Sequence, residues 1–401
     1  MKLLSAAAAI GLLSSACGGK VLDVGISEGP RYATPETIRG AEDAGIGHAI
    51  VMAAHQYGAL ELALDDTRLY WTTGWTPPLL SQEPTETGVV RSCTKTDCAG
   101  TVITYASHAR QKFIAVNESH VYWIAAPPGC CTGSPAQPSN CNGLCPTVDL
   151  VACPPQGCEV GGPVVIAPRI TPTNLAADDT HVYWTSFDGT LLRCPADGCA
   201  TRPELVALTE EVAFGPVPLT LDDERVFWTT RREGQASGAI MTAPKDGSAT
   251  ATVLVDKVHS PMSIAVDRTN VYWTEARSIG AVKACLLTGC NGEPQVIASQ
   301  QQYPGRLKVR DGAAYWFVPE DGSPRFLDDY TSDPILGSLL TCPVTGCGSG
   351  PTILASNQLG PRAIAVDATH VYWTSFGEEK RAQERRYFDG DVKRMRRQEW
   401  H

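Results

Sequence analysis

Cysteine pairs with one fixed spacing are the residues of this chain best suited to do chemistry. Fifteen cysteines occur in 401 residues, and ten of them form C-x-x-x-x-C pairs. The pairs are Cys93/Cys98, Cys153/Cys158, Cys194/Cys199, Cys285/Cys290 and Cys342/Cys347. A loop of this length brings its two flanking cysteines opposite each other across a hairpin, within disulfide distance. Zinc is the alternative, but a zinc ion needs four converging ligands, and each pair lies in a separate copy of a sequence repeat. The sequence therefore predicts five disulfides, no metal and no cofactor.

Four further cysteines lie together in one insertion, PPGCCTGSPAQPSNCNGLCP. They are Cys130, Cys131, Cys141 and Cys145. Two more disulfides are expected there. Adjacent Cys130 and Cys131 are poorly placed to pair with each other, so two connectivities stay open. A four-cysteine metal site is the alternative.

The remaining cysteine, Cys17, follows an N-terminal segment typical of export. Lys2 precedes an apolar run over residues 3–13 and then Ser-Ser-Ala. This pattern indicates a signal peptide, and the run is too short for a membrane-spanning helix. The small residues ending on Cys17 resemble a bacterial lipobox, which implies a lipidated cysteine, and Gly18 implies sorting to the outer membrane. We expect residues 1–17 to be the signal peptide and residues 18–47 a tether. A secretion signal with a chance cysteine is the alternative.

Seven aromatic pairs mark the elements that position the cysteine pairs. They are Tyr70-Trp71, Tyr122-Trp123, Tyr183-Trp184, Phe227-Trp228, Tyr272-Trp273, Tyr315-Trp316 and Tyr372-Trp373. Each repeat carries four short segments with the composition of strands, which we call a to d; in the fifth repeat they are 263–267, 270–275, 280–285 and 295–298. Four strands per repeat, recurring about every 44 residues, are typical of a β-propeller.

The two ends of the repeat array favour a closed ring over a solenoid. Residues 48–54 (HAIVMAA) have the composition of a strand d without a blade, whereas the seventh repeat ends after the strand c in 389–395 (DGDVKRM). Pairing the two would remove both open edges. The sequence thus predicts an all-β, seven-bladed propeller over residues 48–401, in which an N-terminal strand completes the last blade and disulfides staple the hairpins.

The aromatic repeats, such as NVYWTE and HVYWTS, resemble the YWTD repeats of propellers of the low-density lipoprotein receptor type. The resemblance covers most of residues 48–395. No copy ends in Asp, however, and that family has six blades where this sequence has seven. The V-Y-W-T and C-P-x-x-G-C repeats are more similar to those of a group of exported bacterial propeller lipoproteins, a resemblance that implies no established chemistry.

Turn residues are expected on one face of the propeller, where the a–b and c–d turns lie. Five aspartates recur at the start of the a–b turns, and we expect each to cap its turn by binding backbone amides. They are Asp65, Asp178, Asp222, Asp267 and Asp367. His120, His181 and His370 occupy equivalent positions in these turns. We interpret them as solvent-exposed turn residues and not as metal ligands or bases.

The opposite face, which holds the d–a and b–c loops, carries the candidate binding residues. Those assigned to the d–a loops are His55, Tyr57, His108, Arg169, His259, Tyr303, Arg306 and Arg362. Long b–c insertions at 73–88, 125–148, 318–337 and 375–390 fall in consecutive blades of a closed ring. They predict a wall over one side of this face, with sequence drift as the alternative.

The last insertion adds a basic segment to a chain whose formal net charge is −10. Its cations are Lys380, Arg381, Arg385 and Arg386. They can attract an acidic partner or glycan, and a solvated charge run is the alternative.

The hypothesis that follows is a lipid-anchored outer-membrane propeller that acts as a scaffold or binds a protein, peptide or glycan. It would face the periplasm or the cell surface and contact the membrane only through its lipid. The acidic charge disfavours a nucleic-acid partner. The alternative is a lyase or hydrolase at the channel mouth, although the chain has no G-x-S-x-G, H-E-x-x-H or phosphate-loop motif. Histidines clustered with carboxylates at the mouth would favour the enzyme. The ligand and the oligomeric state stay open.

Overall fold

Seven four-stranded antiparallel sheets make up the part of the chain that the structure describes. The computed structural model describes residues 49–73, 88–106, 113–125, 147–158, 161–199, 202–208, 218–231, 237–322, 335–382 and 385–397. Within these residues there is no helix, and hence none that is long and apolar enough to cross a membrane.

The strands of the first four blades follow one another in sequence, from a to d. Blade 1 contains β2 (Ala59–Leu64), β3 (Arg68–Thr73), β4 (Val90–Thr94) and β5 (Ile103–Ala106). Blade 2 contains β6 (Ile114–Val116), β7 (Val121–Ala125), β8 (Val148–Cys153) and β9 (Val164–Ile170). Blade 3 contains β10 (Pro172–Ala177), β11 (His181–Ser186), β12 (Thr190–Pro195) and β13 (Glu204–Leu208). Blade 4 contains β14 (Leu219–Leu221), β15 (Arg225–Arg231), β16 (Ser237–Pro244) and β17 (Thr252–His259).

Blades 5 and 6 repeat this order, and blade 7 takes its outer strand from the other end of the chain. Blade 5 contains β18 (Pro261–Val266), β19 (Asn270–Glu275), β20 (Gly280–Leu286) and β21 (Gln295–Gln301). Blade 6 contains β22 (Leu307–Arg310), β23 (Ala313–Pro319), β24 (Leu336–Pro343) and β25 (Thr352–Leu359). Blade 7 contains β26 (Pro361–Val366), β27 (His370–Ala382), β28 (Arg385–Arg396) and β1 (Ile50–Tyr57).

The ring is closed by the mixed blade, as predicted. Strand β1 runs antiparallel to β28, with Ile50 opposite Arg394 and Tyr57 opposite Asp389. The seven inner strands also contact one another in order around the ring, including β2 with β26. The molecule is therefore a seven-bladed β-propeller whose strands a surround a central channel.

The core consists of the wedges between blades. The Tyr and the Trp of each aromatic pair point to opposite faces of the blade, so the Tyr of one blade meets the Trp of the next, as Tyr183 meets Trp228 and Tyr372 meets Trp71. The largest fully buried side chains are tryptophans and tyrosines of these pairs. Aromatic side chains bury more area than other residues, which explains why this motif recurs in every blade.

The a–b turns are capped as predicted. In blade 1, Oδ1 of Asp65 accepts hydrogen bonds of 2.7 Å from the amides of Thr67 and Arg68, while Tyr70 donates its hydroxyl to Oδ2. The turn histidines were expected to be solvent-exposed, but all three are half-buried. The ring of His181, for example, lies 6.0 Å from that of Tyr183. Burial lowers the pKa of all three turn histidines.

The five predicted disulfides are formed, with Cα atoms 4.8 to 5.3 Å apart. They join Cys93 to Cys98, Cys153 to Cys158, Cys194 to Cys199, Cys285 to Cys290 and Cys342 to Cys347. Blade 4 has no cysteine pair at this place. Its Lys245 Nζ lies 2.8 Å from Asp178 Oδ2 of blade 3, a contact that Lys95 and Asp367 also make beside the Cys93–Cys98 disulfide. The other cysteines, Cys17, Cys130, Cys131, Cys141 and Cys145, lie outside the described residues.

The loop length had suggested that the two cysteines of each pair lie opposite each other across the c–d ladder. They do not. The first cysteine lies in strand c, but the second lies in the connection between strands c and d; these second cysteines are Cys98, Cys158, Cys199, Cys290 and Cys347. Contact with the preceding blade explains the difference where it is seen. The amides of Cys199 and Cys347 donate to the carbonyls of Ile166 and Ile297, which belong to strand d of that blade. Each disulfide therefore closes the c–d turn itself, before strand d begins.

Candidate functional site

A bulge near the end of strand d shapes the d–a face in five blades. One residue there has a left-handed backbone, and strand d carries one extra residue relative to strand c. The left-handed residues are His55, Arg169, Lys257, Gln300 and Asn357, with φ between 54° and 57°. Pairing with strand c resumes after the bulge.

The bulge corrects the predicted position of several candidate residues. His55, Tyr57, Arg169 and His259 were expected in d–a loops, but they lie inside strands β1, β9 and β17 because these strands continue past the bulge. Arg362 lies in the inner strand β26. Only two candidates, Tyr303 and Arg306, lie in a described d–a loop, the one between β21 and β22.

The residue after the bulge joins two blades where it is glutamine. Oε1 of Gln56, Gln301 and Gln358 accepts a hydrogen bond of 2.9 to 3.1 Å from the indole of the next blade. The donors are Nε1 of Trp71, Trp316 and Trp373. These pairs were not predicted from the sequence, although the glutamine precedes the tryptophan by 15 residues each time.

Blade 7 places a histidine beside two carboxylates on this face. Nδ1 of His55 lies 2.8 Å and 3.0 Å from the two carboxylate oxygens of Asp389. Asp391 follows two residues later on β28. Its carboxylate lies 3.7 Å from Lys393 Nζ. Burial raises the pKa of Asp391; Lys393 opposes this shift, and the charge of Asp389 adds to it.

The b–c insertion of blade 7 is a β-hairpin. In blade 5, strand b ends two residues after its tryptophan, at Glu275, whereas β27 continues to Ala382. The added segment pairs with β28 from Glu378 opposite Asp389 to Ala382 opposite Arg385. Five pairs correspond to a projection of about 16 Å. Lys380, Arg381, Arg385 and Arg386 all lie in this added hairpin.

The base of the hairpin is tightly packed. Phe376 is 5% exposed, and the guanidinium carbon of Arg362 lies 5.1 Å from its ring centroid. Gly377 has φ +91°, and a Cβ there would lie 2.0 Å from the carbonyl oxygen of Asp389. The hairpin therefore leaves the blade at a defined position.

The channel mouth holds an ion pair between blades that are not neighbours. Arg306, just before β22 in blade 6, binds Glu61 of β2 in blade 1. Blade 7 lies between them, so the pair bridges two inner strands on either side of β26. Glu61 was not among the predicted residues.

The structure thus brings part of the predicted set together. His55, Arg306, Arg362 and the basic hairpin lie on blades 6 and 7. Arg169 lies on blade 2, His259 on blade 4, and the Tyr303 amide bonds to the Arg277 carbonyl of blade 5. His108 and most of the other three long b–c insertions lie outside the described residues. Among the described residues, no group of three or more His, Cys, Asp and Glu is arranged to hold a metal ion.

No family model matches the chain. A segment of it is 31% identical over 112 residues to the protein cueball of Drosophila willistoni, covering 26% of this chain. The chain spans 16% of the length of that curated relative.

Two solved structures share the fold at low sequence identity. YCF48 from Cyanidioschyzon merolae aligns with a TM-score of 0.53 and 10% identity, over 85% of this chain and 96% of YCF48. A structure described as YCF48 bound to D1 peptide aligns with a TM-score of 0.51 and 9% identity, over 88% of this chain and 96% of that one. Both support the propeller fold alone.

Proposed function

We propose that this chain is an exported, lipid-anchored propeller that binds a partner protein on the d–a face around blades 6, 7 and 1. The observation that carries the proposal is the β27–β28 hairpin, which extends blade 7 beyond the usual end of strand b. A projecting element on a rigid scaffold is a common location for binding. YCF48, a propeller of the same fold, has been seen with a peptide, which supports a polypeptide as partner.

The hairpin's composition supports an acidic partner surface. Four cations and one glutamate lie within residues 380–386, a local charge of +3 in a chain with a net charge of −10. Complementary charge raises association rates and selects partners. The V-Y-W-T and C-P-x-x-G-C repeats further support placing the chain with exported propeller lipoproteins of the YWTD-like type, and Gly18 after Cys17 supports the outer membrane.

Removing the hairpin tests the binding proposal. Replacing residues 379–388 with Asn-Gly would close Glu378 and Asp389, which lie opposite each other, with a tight turn. We expect the variant to lose partners that cross-link to the wild type in detergent-solubilised envelopes, while its melting temperature stays close to that of the wild type. Unchanged cross-linking would contradict the proposal.

Two charge variants separate electrostatics from shape. Changing Lys380, Arg381, Arg385 and Arg386 to Ser should weaken partner binding and reduce its dependence on salt. The matched control removes four exposed cations from blades 3 to 5, namely Arg202, Lys257, Arg268 and Arg277. Equal weakening in both variants would indicate a general charge effect and not a site.

Lipid anchoring is tested at Cys17. The motif that ends on this residue supports lipidation, and the Cys17→Ser variant should then remain unprocessed and leave the detergent phase. Mass spectrometry of the mature N-terminus provides the readout. A variant that is processed and membrane-bound like the wild type would contradict the anchor without affecting the binding proposal.

Acid–base catalysis at the outer strands of blade 7, on the d–a face, is the second candidate function. It is favoured by the His55–Asp389 pair beside Asp391, because a carboxyl group with a raised pKa can act as a general acid. A screen of ester and glycan substrates would test it. Any activity found should disappear in Asp391→Asn and persist in the hairpin-deleted variant.

A further inference from the structure

The inner strand of blade 6 differs in charge from the other six inner strands. When the blades are aligned by strand pairing, one position lies opposite the Tyr or Phe of strand b in each blade. Its occupants are Ala63, Ala115, Ala176, Thr220, Ala265, Lys308 and Ala365. Six residues are small, and one is a lysine.

The positions two residues before and after Lys308 are also basic in this strand. Arg306 lies on one side of it and Arg310 on the other. At the position of Arg310, five of the other blades carry the turn aspartates and blade 2 carries Asn117. Alternate residues of a strand point to the same side, so blade 6 places a column of three cations along one side of its inner strand.

Lys308 lies in the central channel. It belongs to an inner strand, it is exposed to water, and the charges that act on it come from Arg306 and from Glu61 of another blade. Its ammonium group is nevertheless close to many protein atoms, and this burial lowers its pKa, an effect that Arg306 strengthens and Glu61 opposes. A side chain inside a channel is both accessible to water and close to protein atoms, as Lys308 is.

The charges of this site do not cancel. Arg306 is paired with Glu61, whereas Lys308 makes no hydrogen bond or ion pair with any described residue. Arg310, the third cation of the column, lies beside Asp311. Arg306, Lys308 and Glu61 together leave a net charge of +1 next to the six small residues of the other inner strands. A guanidinium presents forked donors that match a carboxylate, and an ammonium next to it adds a further charged donor.

We propose that Arg306 and Lys308 form a binding site for a carboxylate group inside the central channel. The net charge of +1 on these three groups matches a single carboxylate. A phosphate dianion would bring a second negative charge close to Glu61. This site goes beyond the protein-binding face and does not depend on it.

Titration calorimetry with defined probes tests the site on the whole chain. The probes are acetate, the tripeptide Ala-Ala-Ala with a free C-terminus, its amidated form, and inorganic phosphate. We expect Lys308→Gln to weaken carboxylate binding at least about tenfold, as expected for the loss of a charged hydrogen bond. Glu61→Gln should strengthen binding, because it removes the competing carboxylate. Lys257→Gln, which removes an exposed lysine from the outer strand of blade 4, should leave binding unchanged.

The probes also identify the source of the carboxylate. Binding of acetate with no gain from the tripeptide indicates a free small acid, and tighter binding of the free tripeptide than of its amide indicates a peptide terminus; both support the site. Absence of carboxylate binding by the wild type at millimolar concentrations would overturn the proposal. So would unchanged binding in Lys308→Gln with an unaltered melting temperature, or phosphate binding tighter than that of acetate.

Discussion

Gln301 connects two blades through one hydrogen bond in a buried place. Its Oε1 lies 3.1 Å from Nε1 of Trp316 in the next blade, and Trp316 is 0% exposed. No water can therefore replace the acceptor if the glutamine is lost. In blade 2 the residue after the bulge is Ile170, and Nε1 of Trp184 in the next blade has no partner among the described residues. Nε1 of Trp123 also has no partner, so the described part of the chain tolerates two such donors but satisfies others.

Replacing Gln301 should reveal the cost of an unpaired indole. We expect Gln301→Leu to lower the free energy of unfolding by about 1–3 kcal/mol, the usual cost of a buried donor without a partner. Urea denaturation measures it. The control is a double-mutant cycle with Trp316→Phe, which removes the donor itself, so the Leu substitution should cost much less in that background. An equal cost in both backgrounds would assign the effect to packing.

The turn histidines should make stability depend on pH with a defined sign. Burial lowers the pKa of His120, His181 and His370 below the ordinary value of 6.5 in the folded chain. The unfolded chain then binds protons more readily, so stability is complete above about pH 6.5 and decreases as the pH falls through it towards the lowered folded values. For the turn aspartates, whose pKa values are lowered by hydrogen bonds against the opposing effect of burial, the corresponding loss begins only below about pH 3.8.

Blade 5 supplies the matched substitution for these histidines, because Asn270 occupies the same turn position. Changing all three histidines to Asn should flatten the dependence of stability on pH between 7 and 5 and leave the loss below pH 3.8 in place. Chemical denaturation at a series of pH values measures both. A variant that still loses as much stability as the wild type between pH 7 and 5 would show that other groups are responsible.

At the scale of strands, the sequence predicted the features that recur with the same residue types and missed those whose residue types vary or that occur once. The aromatic pairs located every strand b, and the cysteine pairs located the c–d turns, because both features recur with fixed spacing. The bulge of strand d was missed because its left-handed position is occupied by residues as different as His55 and Asn357. The hairpin of blade 7 was predicted only as a long insertion, since its residues lack the alternation of apolar and polar types that indicates a strand.

Gly377 is expected to be essential for the direction in which the hairpin leaves blade 7. Its backbone is left-handed, and an added Cβ would overlap the carbonyl of Asp389. Gly289, in the c–d turn of blade 5, has φ +103° with nothing within 4 Å of an added Cβ. We expect Gly289→Ala to cost about 1–2 kcal/mol from backbone strain alone and Gly377→Ala to cost more than twice as much.

Hydrogen exchange locates the damage caused by the Gly377 substitution. Amides of the segment added to β27 and β28 should exchange faster in Gly377→Ala, whereas those of blades 2 to 5 should keep their wild-type rates. Equal costs for the two alanine variants would mean that the close contact at Gly377 does not constrain the hairpin.

At the scale of the whole molecule, closure converts positions far apart in sequence into neighbours. The sequence predicted the closing strand because the two partial repeats complement each other. It did not predict the pair between Glu61 and Arg306, which are 245 residues apart, because no repeat pattern relates a glutamate of blade 1 to an arginine of blade 6. Lys308 could have been noticed in the sequence, because the other repeats have Ala or Thr at its position. Its importance could not be recognised without knowing which positions face the channel.

Ring closure by β1 can be tested by supplying the strand separately. Met52 and Ala53 are 3% and 0% exposed and belong to the cluster that joins blades 7 and 1. A chain that begins at residue 58 should expose the edge of β28 and aggregate, because an unpaired edge strand recruits other chains. Adding a peptide of residues 48–57 during refolding should restore a soluble monomer. The same peptide with Met52→Asp should fail, because it would bury an unpaired charge.

If the truncated chain remains a soluble monomer with the stability of the full chain, β1 does not close the ring in solution. Rescue by both peptides would show that backbone pairing alone, without the Met52 contact, is sufficient.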